Sequence, residues 1–327
     1  MILVTGGAGF IGSNIVAALV QRGAPVAVDD YLGHDDKWRN LANSELSDLV
    51  SPQQLTAWLD QRGEAVETIV HMGAISSTSA TDADLVIDTN FQLSWYLWQW
   101  CASHGTRFIY ASSAATYGAG EQGYDDDGSA QALANLRPLN LYGWSKHLFD
   151  RRVARAIAEH EPTPPQWAGL KFFNVYGPNE YHKGDMRSVV ARYYAKAASG
   201  EEVALFKSCR ADVADGQQKR DFVYVDDCVD VVLWLLDHPA INGLFNVGTG
   251  HARSFADVIG ALFSAAERPA RIGYCEMPEA MRKHYQYFTQ ARMARLREAG
   301  FVQPFTSVED GVRRYVERYL SQNEVYR

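Results

Sequence analysis

The chain has 327 residues, of which 47% are hydrophobic, and a formal net charge of −8. That length accommodates one large α/β domain, or a main domain with a smaller lobe, around a substantial core. The negative balance argues against general nucleic-acid affinity, and no apolar run approaches the length of a membrane span. The opening segment Met1–Gly7 has no basic leader, which predicts a cytoplasmic protein. Cys101, Cys209, Cys228 and Cys275 are scattered without a C-x-x-C pair, so they read as reduced thiols rather than a disulfide frame, and no metal is expected.

Ile2–Thr5 is a short apolar run that predicts a buried strand, and Ser13–Val20 has the pattern of an amphipathic helix. Between them lies Gly6-Gly7-Ala8-Gly9-Phe10-Ile11-Gly12. In this setting Gly6 permits a tight turn, Gly9 leaves room for a pyrophosphate at the helix N-terminus, and Gly12 lets helix and strand pack closely. Gly6, Gly9, Phe10, Ile11 and Gly12 are therefore expected at a dinucleotide. The next strand, Pro25–Val28, ends at Asp29-Asp30, where an acid can accept hydrogen bonds from the adenosine ribose. A carboxylate there repels a 2′-phosphate and favours NAD over NADP. Lys37 and Arg39 either offset that repulsion or form a solvated basic loop.

Asp48 fits equally an adenine neighbour and a solvated loop acid, and Pro52–Gly63 predicts a helix. The strand Val66–His71 leads into Met72-Gly73-Ala74-Ile75-Ser76. A small-residue loop at the C-terminal end of a parallel strand is where such a fold binds its ligand, which selects Met72, Gly73, Ala74 and Ser76. Residues 84–104 predict a long helix whose stripe of Trp95, Tyr96, Trp98 and Trp100 belongs to the core or to a subunit interface. Asn90 within it is either a satisfied core amide or an orienting group beside the cofactor.

Phe108–Gly118 reads as the next strand and its exit loop, with Ser112 and Ser113 turned toward the crevice or capping the loop. Further on, Tyr142-Gly143-Trp144-Ser145-Lys146 opens a helix and sets a phenol and an ammonium on one face. A nearby positive charge lowers a tyrosine pKa from ~10 toward the range of general acid–base chemistry. Alone, such a pair is more often an interfacial tyrosine beside a solvated lysine.

Taken in order, Thr5–Gly12, Ser112–Gly118 and Tyr142-x-x-x-Lys146 resemble the extended short-chain dehydrogenase/reductase family of nucleotide-sugar enzymes. The resemblance implies an α/β fold: a Rossmann-type, doubly wound parallel sheet with a smaller mixed α/β C-terminal substrate lobe. It places the NAD(P)-binding domain at 1–175, with a return segment at roughly 220–250, and the substrate lobe at 176–327. It further implies that Tyr142 is the acid–base, that Lys146 holds the nicotinamide ribose and lowers the tyrosine pKa, and that Ser113 hydrogen-bonds the reacting oxygen.

The segment 119–136, with Asp125-Asp126-Asp127, reads as an irregular insert with solvated acids. Ala168–Phe173 predicts a strand that runs into Asn174-Val175-Tyr176-Gly177-Pro178. Helices are expected at 188–199, 229–237, 255–265 and 308–320, strands at 202–206 and 243–247, and 219–227 is expected to cross back to the main sheet.

Three stretches, Phe173–Met186, Lys219–Val225 and Arg282–Gln290, together with Met72–Thr78, are similar to the family branch of ADP-heptose 6-epimerases over nearly the whole chain. That similarity implies a homo-oligomer acting on a nucleotide sugar, ADP-heptose, with NADP as cofactor. Lys183 becomes a second acid–base group, Asn174 a substrate contact and Val175 a cofactor contact. Arg220 would bind the diphosphate, and Tyr285, Phe206 and Lys207 would complete the nucleotide pocket. The chain also departs from the pattern. Asp185 and Arg192 stand at substrate positions where Ser and His are expected, Asp30 stands where Asn is common, and residues 209–217 are an insert. The local charges around Asp30 thus favour NAD, while the resemblance favours NADP.

Overall fold

A computed structural model describes residues 1–34, 36–282 and 285–327; Lys283 and His284 of the quoted 282–290 segment lie outside the described residues. The first half runs β1 (Ile2–Thr5), α1 (Phe10–Gln21), β2 (Val26–Asp29), β3 (Asp48–Val50), α2 (Leu55–Arg62), β4 (Thr68–His71), α3 (Ala83–Ile87), α4 (Leu93–His104) and β5 (Arg107–Ser113). Then follow α5 (Ala130–Ala134), α6 (Leu141–Ala158), β6 (Trp167–Phe172) and β7 (Asn174–Tyr176). The second half adds α7 (Val189–Ser199), β8 (Val203–Phe206), β9 (Lys219–Arg220), β10 (Phe222–Tyr224), α8 (Val225–Asp237), β11 (Gly243–Val247), β12 (Arg253–Ser254), α9 (Phe255–Ala265) and β13 (Ile272–Cys275).

Seven strands form one parallel sheet in the order β11-β6-β5-β4-β1-β2-β3. This is the doubly wound arrangement, with its switch in winding direction between β1 and β4, where such sheets open a crevice. Thr5 is level with Asp29 on one side and with His71 on the other, so these strands end along one edge. Alternate strand residues enter opposite cores. Val4, Val28, Val70 and Ile109 pack with Ile15 and Leu19 of α1 and Val231 and Leu235 of α8. Leu3, Ala27, Ile69 and Phe108 pack with Leu59, Leu97, Trp98 and Phe149 from α2, α4 and α6. Trp98 and Trp100 are therefore core residues, whereas Trp95 stays partly exposed under the Arg152 guanidinium, 3.7 Å from its ring centre.

A third core joins α7, α9, β8, β10 and the helix Val308–Tyr315. Here α9 occupies the expected 255–265, started by a capping box in which Ser254 and Asp257 exchange side-chain bonds with each other's backbone N–H. The run 219–227, in contrast, does not cross to the central sheet. β9 pairs with β12, β10 pairs with β7, and Val225 already opens α8. The crossing is made by β11 alone, which extends the sheet beside β6. The long helix expected at 84–104 is interrupted by a π turn at Asp88–Gln92, with Asn90 buried within it.

Candidate active site

The glycine loop is set by close approach. Gly6 has φ +65°, and a Cβ there would meet the Gly73 backbone at 2.5 Å; one on Gly12 would meet the Gly6 carbonyl oxygen at 2.2 Å. α1 starts after Gly9 with no side-chain cap and no acid in its first turn. Its free N–H groups thus offer a site for an anion. Gly6, Gly9, Phe10, Ile11 and Gly12 line a cavity of about 520 Å³, joined by Met72, Gly73, Ala74 and Ser76. These residues fit a dinucleotide pyrophosphate.

Asn90 does not reach that cavity. Its Oδ1 accepts from Ile75 N at 2.8 Å, and its Nδ2 donates to Ile75 O at 3.0 Å and Ser145 Oγ at 2.9 Å. The expected cofactor contact is instead a tie between the 72–77 loop and α6. The two acids of β2 also part company. Asp30 lines the cavity, accepting from Ala8 N at 2.9 Å and from Lys37 Nζ at 2.6 Å. Lys37 also borders the cavity, and its ammonium donates to Tyr31 O at 2.8 Å. Asp29 is buried behind them and lines neither cavity; burial, with the Asp30 charge adding and Lys37 opposing, pushes its carboxyl up to about 7. Asp30 alone is left to meet a ribose. Arg39 lies over the Tyr326 ring, and Asp48 accepts from Trp58 Nε1 at 2.7 Å.

The acid–base group is held by a helix start. Asn140 caps α6 by accepting from Gly143 N at 2.8 Å, which puts Tyr142 in the first turn and Lys146 one turn on. Both line the cavity with Ser113, whose side chain acts on the Tyr142 phenol. The tyrosine pKa does not fall as its lysine neighbour alone would predict. Burial pushes it above 10, Ser113 opposes, and the Asp150 carboxylate adds to the rise. Burial also lowers Lys146 to about 8, with Asp150 opposing. Asp150 lies one further turn along α6. It accepts from Lys171 Nζ at 2.8 Å and Ser112 Oγ at 2.7 Å, and both charged side chains are fully buried. Ser112 also lines the cavity, but it commits its hydroxyl to Asp150.

The opposite wall comes from β7 and the turn Tyr181–Met186. Asn174, Val175 and Lys183 line the cavity. The Lys183 ammonium sits 5.2 Å from the Phe10 ring centre; burial lowers its pKa, and Glu180 opposes. Glu180, fully buried, accepts from Ser188 Oγ at 2.7 Å, from Ser188 N, and from Gly177 N at 3.3 Å, closing the base of the turn.

Arg192, Phe206 and Tyr285 line an adjoining cavity of about 190 Å³ that shares Val189 and Phe255 with the first. Three expected substrate contacts lie outside both cavities. Asp185 is exposed. Lys207 turns out to Glu276 at 2.9 Å. Arg220 is buried 5.2 Å from the Tyr285 ring centre, its guanidinium captured by Lys219 O at 2.9 Å and by Gln286 O. In exchange the cavity gains Arg187, Gln286 and Thr289, which sequence reasoning passed over. Two of these belong to the Tyr285–Gln290 stretch, from which only Tyr285 had been selected.

A model of the NAD dependent epimerase/dehydratase family matches residues 2–248. A protein of Nitratidesulfovibrio vulgaris named ADP-L-glycero-D-manno-heptose-6-epimerase is 48% identical over 98% of both chains. A Fusobacterium nucleatum protein of the same name is 44% identical over the full length of both. Among solved structures, the Helicobacter pylori protein of that name superposes with a TM-score of 0.78 at 27% identity, covering 97% of this chain and 95% of that one.

Proposed function

The chain belongs to the NAD dependent epimerase/dehydratase family, and from that premise we infer that it inverts C6 of ADP-D-glycero-D-manno-heptose through a 6-keto intermediate. One observation carries the reading: Lys183, with its pKa lowered by burial, opens into the same cavity as Tyr142, Ser113 and Lys146 from a separate element. Inversion delivers the carbinol oxygen to different places in the two epimers, so it calls for an acid–base group on each side.

When bound, the nicotinamide supplies a reversible hydride acceptor. The glycine loop and the free N–H groups of α1 hold its pyrophosphate, and Lys146 binds its ribose. Tyr142 takes the C6 hydroxyl proton on one side, with Ser113 hydrogen-bonding the reacting oxygen. The Lys146 ammonium stabilises the phenolate as it forms. After the intermediate turns, Lys183 returns a proton to the oxygen on the other side. The small cavity of Arg192, Phe206 and Tyr285 takes the adenosine. Elimination is disfavoured, because Ala114 and Ala115, which follow Ser113 in the cavity wall, offer no acid or base to expel water.

The Asp30–Lys37 pair favours NAD as the nucleotide. It presents a held carboxylate to a ribose diol, and a 2′-phosphate would have to draw Lys37 away from Asp30. Nearly all the chain serves this reading, with 1–175 and a return segment near 220–250 on the cofactor side and 176–327 on the substrate side.

The test is C6 configuration followed by NMR on ADP-heptose, with the released nucleotide weighed by mass spectrometry. Lys183→Met should lower turnover about 10²- to 10⁴-fold, as expected for loss of a general acid–base group. Undiminished epimerisation would end the two-sided account, and a nucleotide heavier by one phosphate would end the NAD reading.

A further inference from the structure

We propose that Arg327 is a positioning residue for Lys183: together with Asn14, Asn40 and Asn179 it fastens the turn that carries Lys183 to the glycine loop. The inference rests on the acid–base role given to Lys183 above.

The Lys183 turn has no sheet to hold it. It is a six-residue helical turn, Tyr181–Met186, with a break at Gly184. Its approach is fixed by Asn179, fully buried and one of three non-glycine residues with positive φ among those described, at +71°. Asparagine tolerates that conformation better than most side chains. Asn179 then makes three bonds to other parts of the chain. Its Nδ2 donates to Ser13 Oγ at 3.0 Å, its backbone oxygen accepts from Asn40 Nδ2 at 3.1 Å, and its Oδ1 accepts from Arg327 N at 3.0 Å.

Asn14, on α1, works from the other side. Its Nδ2 donates to Phe10 O at 2.9 Å and to Pro178 O at 3.0 Å, while its Oδ1 accepts from Arg327 Nη1 at 3.1 Å. Asn40 Nδ2 also donates to Ala8 O at 2.8 Å. Directly through Ser13, and by way of Asn14 and Asn40, these bonds join the glycine loop and α1 to Pro178 and Asn179 of the approach to Lys183, and Arg327 is tied to both sides.

Arg327 bonds both Asn14 and Asn179, and its guanidinium also pairs with Asp226 in the first turn of α8. The tail is guided there by Tyr181, whose hydroxyl donates to Val325 O at 2.8 Å and whose ring meets Tyr326 edge-on. The consequence is local to the chemistry. The Lys183 ammonium rests against Phe10, so whatever fixes Phe10 relative to the turn fixes the ammonium relative to the cofactor site. A misplacement of about 1 Å at a reacting group can cost on the order of 10²-fold in rate.

The experiment is a double-mutant cycle between Arg327→Ala and Lys183→Met on the full chain, with C6 inversion, bound nucleotide and Tm read on each protein. Arg327→Ala is expected to lower kcat about 10- to 100-fold with KM changed less than about twofold. Nucleotide content and Tm should stay near the parent, and Arg327→Lys should recover part of the loss. Asn179→Gly, which keeps the backbone conformation and removes the side-chain bonds, should repeat the effect. In the Lys183→Met background, Arg327→Ala should cost nothing further, because residues acting through one group are not additive. An unchanged kcat in Arg327→Ala, or an equal loss in both backgrounds, overturns the inference alone. Full turnover by Lys183→Met overturns both the second acid–base role and this inference.

Discussion

The two walls of the large cavity place their chemistry by different means. On the sheet wall, Tyr142 and Lys146 sit in the first two turns of an 18-residue helix, and Ser113 ends a strand that is paired on both sides. Backbone geometry sets their spacing, and the fully buried Asp150–Lys171 pair supports them from behind. On the loop wall, Lys183 rides a short turn held by side-chain amides and by the buried Glu180 carboxylate. The sheet wall has strand ladders and helical bonds to share any disturbance. The loop wall depends on individual side chains, so single substitutions well away from the reacting carbon should be felt there.

The difference is sharpest at the reacting carbon itself. Tyr142→Phe keeps the ring and the helix start and removes only the hydroxyl. It should cut kcat about 10³-fold, in the range for loss of a general acid–base group, with circular dichroism and bound nucleotide unchanged. Retention of more than about a tenth of the turnover would place the first proton transfer elsewhere.

A smaller effect belongs to the adjoining cavity proposed above for the adenosine. Arg192 and Tyr285 line the adjoining cavity, apart from Tyr142 and Lys183. Arg192→Ala should raise KM for the sugar nucleotide about tenfold, some 1.4 kcal/mol of binding, with kcat nearly unchanged. A fall in kcat at constant KM would instead bring Arg192 to the reacting end, and the two cavities would have to be read as one.

The same contrast explains which parts could be read from the chain. The glycine loop, the serine strand and the Tyr142–Lys146 helix are local patterns whose periodicity and spacing are visible over a dozen residues, and the structure brings them to one edge of one sheet. The family is legible for the same reason. Contacts between distant segments are not. Asn90 stayed open between a core amide and a cofactor neighbour because its partner Ser145 lies 55 residues away, and the diphosphate role that the resemblance implied for Arg220 could not be checked because the carbonyl of Gln286 that captures it lies 66 residues on. The 219–227 run was expected to cross back to the main sheet, but its apolar stretch Phe222–Val225 ends where Val225 starts a helix. Spacing also gave the wrong sign for the Tyr142 pKa. The i, i+4 lysine is visible in the sequence, whereas the burial that outweighs it appears only when α6 packs against the sheet.

That dominance of burial on the sheet wall can be checked at a group with no part in the proton transfers. Asp29 ends β2, is nearly fully buried, and leaves its Oδ1 without a hydrogen-bond partner among the described residues. Its carboxyl is pushed from 3.8 to about 7 by desolvation, with Asp30 next door adding to the rise. Below pH 3.8 the group is protonated both folded and unfolded. Between 3.8 and about 7 the folded chain holds a proton that the unfolded chain has lost, so stability falls as pH rises through that window, and above it the full cost remains. Asp29→Asn is neutral at every pH and close in shape. Its Tm should therefore exceed that of the parent by several degrees more at pH 8 than at pH 4, on the order of the shift that a few kcal/mol produces in a chain of this size. Both proteins should be measured with saturating nucleotide, so that ligand linkage is held constant. A pH-independent difference would mean that Lys37, and not burial, governs Asp29, and the ribose end of the sheet wall would then be set by ion pairing, as the loop wall is by its side chains.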